Sequence, residues 1–214
     1  MEFTLWDILR NLLLAARWTV VLSLAAFAFG GLAGLILLTL RIGPNRVLRG
    51  ATRLYIEVFQ GTPLLMQLFL VFFGLPLLGI DVQPWLAAGV GLTLSSSAYL
   101  AEIWRGCVEA IPRGQWDAAA ALGLHRVGQL RLVILPQALR IAVPPTVGFS
   151  VQLVKSTALT SIIGFNELLQ TSNVINNATF APFTTYGIVA LIYFVLCFPL
   201  TMFARWVEQG LRRN

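Results

Sequence analysis

The chain has 214 residues, of which 57% are hydrophobic and only 11% are charged, and its mean hydropathy is +0.80. Roughly a quarter of the residues of a soluble domain are charged, so this composition excludes an ordinary soluble globular protein. The formal net charge of +6 does not indicate a nucleic-acid partner, because the basic residues are scattered between apolar runs instead of forming one stripe.

The first predicted element is a short helix. Residues 3–16 are apolar on one side only, which is typical of a helix lying at the membrane interface. Five apolar runs follow, and each has about the length that a tilted helix needs to cross a bilayer. The sequence therefore predicts an all-α membrane protein with five transmembrane helices, as one domain over residues 1–214. The predicted spans cover about residues 18–40, 54–78, 85–110, 138–165 and 185–206.

Arginine placement predicts the orientation. With the amino terminus outside, the connections 41–53 and 105–140 and the carboxyl-terminal tail hold twelve arginines, whereas only Arg10 and Arg17 lie outside. Cytoplasmic loops retain basic residues, so we expect an external amino terminus and a cytoplasmic carboxyl terminus.

The second predicted span contains two residues that weaken helical hydrogen bonding, Gly61 and Pro63. A local break at this point would expose backbone groups to a cavity, as the broken helices of transporters do. We expect a kink with some exposure to a cavity, and a plain kink is the alternative.

A charge inside a span costs at least about 2.5 kcal/mol, so an ionisable residue there is a functional candidate unless it lies near a span end, and three residues are singled out on this basis. Glu57 lies near a span end and is predicted to pair with Arg53 at i and i+4. Glu102 and Lys155 are deeper. They could offer an acceptor for the ammonium group and a donor for the carboxylate of a zwitterionic amino acid. Alternatively, they bridge each other or cap backbone groups and so hold helices together.

The connection at about 112–136 is a polar loop between apolar spans. It is predicted to contain a short helix, a turn at Gly123, and the start of the next span at Pro136. With Ala118 and Ala119 facing outwards, the short helix has no bulk and could enter a groove on another protein. Asp117 complements the positive end of its dipole. The alternative interpretation is a solvated cytoplasmic connector.

ATP hydrolysis is not expected in this chain. The sequence contains no GxxxxGK[ST] motif, and its only lysine, Lys155, lies within an apolar run. No metal site is expected either, because there is one histidine and the two cysteines have no CxxC spacing.

Four sequence blocks carry a resemblance to a known family. The loop contains Asp117-Ala118-Ala119, then Gly123 after three residues, Val133 after nine more, and Leu135-Pro136. This is similar to a family pattern with Glu and Ile in place of Asp117 and Val133. The other blocks are Phe59 to Leu68, Ala98 to Gly106 continuing through Ile111 to Gln115, and Leu153 to Leu159, with departures at Gln60 (commonly Arg), Ala158 (usually Ser) and Phe149 (near a frequent Asn).

On these residues the chain resembles the membrane subunits of bacterial ATP-binding-cassette importers, in particular the polar amino acid permeases of the histidine, glutamine, glutamate or arginine type. The resemblance implies a type I importer permease with a cytoplasmic coupling helix, in the inner (plasma) membrane. It implies pairing with an identical or homologous permease subunit, a cytoplasmic ATPase dimer that holds ATP and Mg, and a periplasmic or lipid-anchored amino acid binding protein. It implies no cofactor in this chain. Membrane lipid is an expected partner, and nucleic acid is not.

The predicted function is transport of a polar amino acid by alternating access, and two sets of residues are predicted to take part in it. The predicted ATPase-docking residues are Trp116, Asp117, Ala118, Ala119, Gly123, Leu124, Val133, Leu135 and Pro136. The predicted substrate pathway comprises Gln60, Gly61, Thr62, Pro63, Gln67, Ser96, Glu102, Gln152, Lys155 and Thr157.

Two other functions would use the same features differently. An ion channel or ion-driven carrier could use the intramembrane charges, but it would not require the loop pattern, and no filter sequence or inverted repeat is visible. An intramembrane enzyme with a nucleophile among Ser95, Ser96 and Ser97 would need a base, and His125 lies in the cytoplasmic loop.

Overall fold

The computed structural model describes residues 4–212, and over these residues the chain is helical without strands. Four helices are long and apolar enough to cross a membrane, and a bent pair can form a fifth span. The predicted fold class is therefore confirmed. The helices are α1 (Leu5–Ile42), α2 (Arg46–Gly61), α3 (Leu64–Leu77), α4 (Pro84–Glu109), α5 (Arg113–Ala121), α6 (Arg126–Ile163), α7 (Leu168–Thr179) and α8 (Pro182–Arg212).

Helix α1 differs from the prediction. Residues 5–16 do not form a separate interfacial helix but run directly into the first span as one helix of 38 residues. Its start is fixed by a capping box in which Thr4 and Asp7 bond each other's backbone N–H groups. The apolar side of this first segment is buried by protein, because Ile8 and Leu12 pack against Leu168 of α7 and neighbouring residues of α8. Of the predicted segment, residue 3 lies outside the described residues.

Helices α1 and α4 run in parallel and approach each other closely. A Cβ atom on Gly30 would lie 2.5 Å from the Cβ of Ser96, and one on Gly34 would lie 3.1 Å from the backbone oxygen of Ser97. Small residues therefore let the two backbones meet, as expected for helix packing within a membrane. The same two helices contribute Ala26 and other buried residues to the main apolar core.

The second span is broken between α2 and α3, whose axes differ by 105°. The predicted kink at Gly61 and Pro63 is confirmed, but it is a complete break, and α2 begins at Arg46, before the predicted start of the span. Pro63 has no N–H group to continue the hydrogen bonding, and Thr62 is extended, with φ −111° and ψ 142°. A π-helical turn at Leu70–Gly74 follows within α3.

Helix α6 rises from the loop and ends at Gly164. After a first α-helical turn at Arg126–Gly128, residues Gln129–Ile134 are π-helical, and the last turns, Thr157–Ile163, are a 3₁₀ helix. Gly164 stops it with a left-handed backbone at φ 81°. The short helix α7 then leads into α8, which packs along α6.

Candidate functional site

The break in the second span is held by one buried side chain, Gln67. Its Nε2 donates to the backbone oxygen of Phe59 at 2.8 Å, to the backbone oxygen of Thr62 at 3.1 Å and to Thr62 Oγ1 at 3.0 Å. These carbonyls lost their helical partners where α2 ends, so the amide replaces the missing N–H groups. Gln67, predicted in the substrate pathway, has a structural role at the break.

A cavity of about 100 Å³ lies beside this break. It is enclosed by α2, α3, α4 and α6, and its lining is uncharged. The structure brings together here three residues of the predicted pathway, Thr62, Ser96 and Gln152. Sequence reasoning missed Tyr99 and Ser156, which also line the cavity, and the stacking of Tyr99 on Phe149 at a ring distance of 5.6 Å closes one side.

The polar groups around the cavity differ in how far they are committed to the protein. Ser96 is fully buried, and its Oγ donates to the backbone oxygen of Leu92 at 2.5 Å. Thr62 Oγ1 likewise donates to the Val58 backbone oxygen at 2.8 Å. Their hydroxyl oxygens keep acceptor capacity, whereas the Gln152 side chain is exposed at the edge of the bundle.

The predicted ionisable residues are not gathered at the cavity. Glu102 pairs with Arg105 of its own helix, with Nε at 2.9 Å and Nη2 at 2.5 Å from the two carboxylate oxygens. Arg105 also pairs with Glu109. Lys155 is exposed on α6. The predicted pairing of Glu57 with Arg53 is confirmed at 2.6 Å.

The remaining predicted pathway residues lie around the break and in α6. Gln60 Nε2 reaches the backbone oxygen of Ala98 at 3.5 Å, and Gly61 and Pro63 are exposed at the break. Thr157 is fully buried, and its hydroxyl donates to the backbone oxygen of Val154 at 2.7 Å.

The loop contains the predicted short helix, α5, and the predicted turn at Gly123, but α5 begins at Arg113, so Asp117 lies beyond its first turn and does not complement the positive end of the helix dipole. The Gly123 N–H donates to the Ala120 oxygen at 2.9 Å and the Leu124 N–H to the Ala119 oxygen at 3.2 Å. With Gly123 at φ 75°, these two bonds form a Schellman motif. The regular α-helical part of α6 then begins at Leu135, with Pro136 in its first turn.

The prediction that both alanines of this helix face outwards is also wrong. Ala118 and Asp117 are exposed, but Ala119 is buried, with 2% of its surface exposed. Residues three apart share a helix face, so Ala119 lies on the same side as Trp116, which packs on the buried Ile111 and Ile134. Only the opposite face of α5 is available to a partner.

The other predicted docking residues are partly buried or exposed. Leu124, Val133 and Leu135 are half-buried and Pro136 is exposed. Two exposed apolar residues were not predicted, Leu122 at 80% and Val127 at 66% exposure. The sequence did contain a sign of both: Leu122 stands beside the turn glycine and Val127 at the start of the next helix, within an otherwise polar loop.

Residues 26–213 match the family described as the binding-protein-dependent transport system inner membrane component. The chain belongs to this family. The permease is 36% identical over 192 residues to the probable amino-acid ABC transporter permease protein YckA of Bacillus subtilis, covering 90% of this chain and 85% of that protein. It is 32% identical to the L-cystine transport system permease protein TcyB and 35% identical to the arginine transport system permease protein ArtQ, both of Bacillus subtilis, covering 97% of this chain in each case and 88% and 93% of those proteins.

The fold of the permease matches a solved structure described as an amino acid ABC transporter with histidines. The TM-score is 0.90 at 30% sequence identity, and the match covers 100% of both chains. The inward-facing MetNI methionine ABC transporter has the same fold, with a TM-score of 0.70 at 20% identity, covering 95% of this chain and 96% of that one. The family match, the relatives and the match at 30% identity show that the chain is the permease component of an amino acid ABC importer, a transport component without its own ATPase site.

Sequence reasoning also missed a buried carboxylate in the permease. Glu167 is fully buried and accepts hydrogen bonds from the Gln170 N–H at 2.8 Å, Tyr193 Oη at 3.1 Å and Thr19 Oγ1 at 3.4 Å. It therefore joins α1, α7 and α8. Burial raises the pKa of the Glu167 carboxyl, against the opposing effect of these hydrogen bonds. The sequence showed only an acidic residue in the connection between spans.

Proposed function

We propose that this permease carries a polar amino acid across the inner membrane by alternating access, driven by ATP hydrolysis on a separate subunit. The observation that carries the proposal is the small, uncharged polar cavity beside the broken second span. The names of the relatives, which include permeases for cystine and arginine, support an amino acid as the class of substrate.

The cavity suits the common part of an amino acid. The Gln152 amide can donate to a carboxylate, whereas the Thr62 and Ser96 hydroxyls, whose hydrogens are bonded to backbone oxygens, can accept from an ammonium group. An uncharged lining keeps the site open to a zwitterion, because no fixed charge in it repels either end. We infer that Gln152 makes the most adaptable contact, since its side chain is exposed at the cavity edge.

The remaining predicted pathway residues have different places in this proposal. Gln60, Gly61, Pro63 and Gln67 shape the break that forms one wall of the cavity. Glu102 is committed to Arg105, so we assign it to helix stability. Lys155 and Thr157 lie on the same helix as Gln152, and their contact with substrate stays a prediction.

Energy would enter through the exposed face of α5. Asp117 and Ala118 present a small acidic surface, and Leu122 and Val127 add exposed apolar side chains beside it. Because α5 lies between α4 and α6, movement of a docked ATPase would displace two spans that line the cavity. ATP and Mg would be held by this ATPase dimer, and a loaded binding protein would deliver substrate from outside.

The proposed assembly also includes a second permease subunit and a fixed orientation. The whole chain would act as one transmembrane domain, with its amino terminus outside and its carboxyl terminus in the cytoplasm, as the arginine distribution indicates.

The test is uptake of labelled amino acids by proteoliposomes that contain the permease with its ATPase and its binding protein. Uptake is expected only with ATP, and the Gln152→Leu variant is expected to lose most of it, whereas Gln209→Leu on α8 serves as the matched control. Uptake without ATP would favour an ion-driven carrier instead. Equal uptake by both variants would remove the cavity from the pathway.

A further inference from the structure

A large apolar groove runs along the surface of the bundle between α1 and α4, away from the proposed substrate cavity. Its volume is about 1060 Å³. Several of its lining side chains are strongly exposed, with Phe29 at 62% and Trp85 at 59% of their surface. Gly89 forms part of its floor, and a Cβ atom there would meet nothing within 4 Å. The groove is therefore open space that this chain does not fill.

The length of the groove matches one leaflet of a bilayer. On α1 it extends from Trp18 to Phe29, and on α4 from Trp85 to Leu94. At 1.5 Å per residue these stretches are about 16 Å and about 14 Å long, which is half of a hydrocarbon core of about 30 Å. Because α1 and α4 run in parallel, the two tryptophans lie at the same end. Tryptophans at that position are typical of the boundary between hydrocarbon and headgroups.

A cationic group lies at the tryptophan end of the groove. The guanidinium carbon of Arg17 is 5.3 Å from the centroid of the Trp18 ring, and the Arg17 side chain is exposed. A guanidinium group binds phosphate through paired N–H donors while it stacks on an aromatic ring. The groove therefore combines an apolar trough as long as one leaflet with a cation where a headgroup phosphate would lie.

We propose that this groove binds one phospholipid, with an acyl chain between α1 and α4 and its anionic headgroup phosphate on Arg17. A polar substrate does not suit the groove, because its long walls are formed by aromatic and aliphatic side chains. The bound lipid completes the packing between the outer halves of α1 and α4, whose inner halves already touch through Gly30 and Gly34.

The test uses the intact complex of permease and ATPase in nanodiscs of phosphatidylglycerol or phosphatidylcholine. Native mass spectrometry counts the lipids that stay bound to the complex after it is released from the nanodisc. Gly89→Leu fills the groove from α4 and Ala25→Leu fills it from α1. Gly187→Leu is the matched control, because a Cβ on Gly187 of α8 also meets nothing within 4 Å. We expect both filling variants to lose one bound phospholipid per permease chain, and the control to keep it.

Arg17→Gln tests the headgroup contact. One arginine near an anionic membrane surface contributes about 1 kcal/mol, so the preference for phosphatidylglycerol over phosphatidylcholine should fall about fivefold while the number of bound lipids stays the same. Excess inorganic phosphate should not displace the lipid, since the acyl chain supplies most of the contact area.

Three results would overturn the proposal. The first is an unchanged lipid count in Gly89→Leu and Ala25→Leu, or an equal loss in Gly187→Leu. The second is separation of the two permease subunits by the filling variants alone, which would assign the groove to a second copy of the chain. The third is displacement of the lipid by inorganic phosphate, which would reduce the site to an anion contact at Arg17.

Discussion

The side-chain amide of Gln67 donates a hydrogen bond to the backbone oxygen of Phe59, 2.8 Å away, across the break between α2 and α3. The same nitrogen reaches the backbone oxygen and the hydroxyl oxygen of Thr62. One buried side chain thus stabilises an interruption that would otherwise leave carbonyl groups without partners inside a membrane protein.

Replacing Gln67 with methionine is expected to destabilise the permease. The apolar side chain has a similar length but cannot donate, so the Phe59 and Thr62 oxygens lose their partner at a cost of about 1–3 kcal/mol. The measurement is the thermal midpoint of the purified permease in detergent. Gln209→Met, on an exposed position of α8, is the control, and equal midpoints for the two variants would refute a role for Gln67 at the break.

Ala118 and Ala119 are expected to respond differently to the same enlargement. Ala118→Trp adds bulk to the exposed face of α5, so it should reduce the amount of copurified ATPase at least tenfold, about 1.4 kcal/mol, without lowering the thermal midpoint of the permease. Ala119→Trp forces the ring into a packed site and should cost about 1–3 kcal/mol of stability. The proposed docking face would be contradicted if both variants kept the ATPase, or if only Ala119→Trp lost it.

Leu122 is expected to contribute directly to ATPase binding. It is 80% exposed, so Leu122→Gln should leave folding unchanged but weaken binding about tenfold by removing an apolar contact. The affinity of purified ATPase for the permease in nanodiscs gives the answer. Val47 at the start of α2 is similarly exposed at 78%, and a similar loss in Val47→Gln would show that the effect is not specific to the loop.

Glu167 is expected to make the stability of the permease depend on pH. Its folded-state pKa is raised by burial above the reference value of 4.5, so the stability contributed by the protonated carboxyl is complete below pH 4.5. That contribution is lost as the pH rises through the folded-state pKa. The Glu167→Gln variant cannot ionise and should lack this component.

Thermal midpoints measured from pH 4 to pH 8 test this expectation. The midpoint of the wild-type chain should fall, relative to that of Glu167→Gln, as the pH rises. Parallel curves for the two proteins would argue against it.

Tyr193→Phe removes one donor to the Glu167 carboxylate and should lower the free energy of unfolding by about 1 kcal/mol at neutral pH.

The membrane class, the helical fold and the short helix in the polar loop were predictable from the sequence. Apolar runs of spanning length report membrane insertion directly, because lipid leaves the backbone few alternatives to helices. The turn at Gly123 was predictable for a local reason, since a left-handed backbone at a helix end favours glycine. The pairing of Arg53 with Glu57 followed from their spacing on one helix face.

Predictions that depended on the surroundings of a side chain were less successful. Ala118 and Ala119 are the same residue type in adjacent positions, and only the packing of Trp116 on α6 decided which one is buried. Glu102 was predicted as a possible partner of Lys155, but it forms an ion pair with Arg105, one turn away on the same helix.

The sequence by itself determined that the chain crosses a membrane in several helices and carries a short helix in a polar loop, because hydrophobicity and turn chemistry are properties of neighbouring residues. Only the tertiary structure decided that Gln67 secures the break, that Glu167 joins three helices, and that α1 and α4 leave a groove open. These features join residues far apart in the chain, Thr19 and Glu167 for example, and such contacts exist only after the helices have packed.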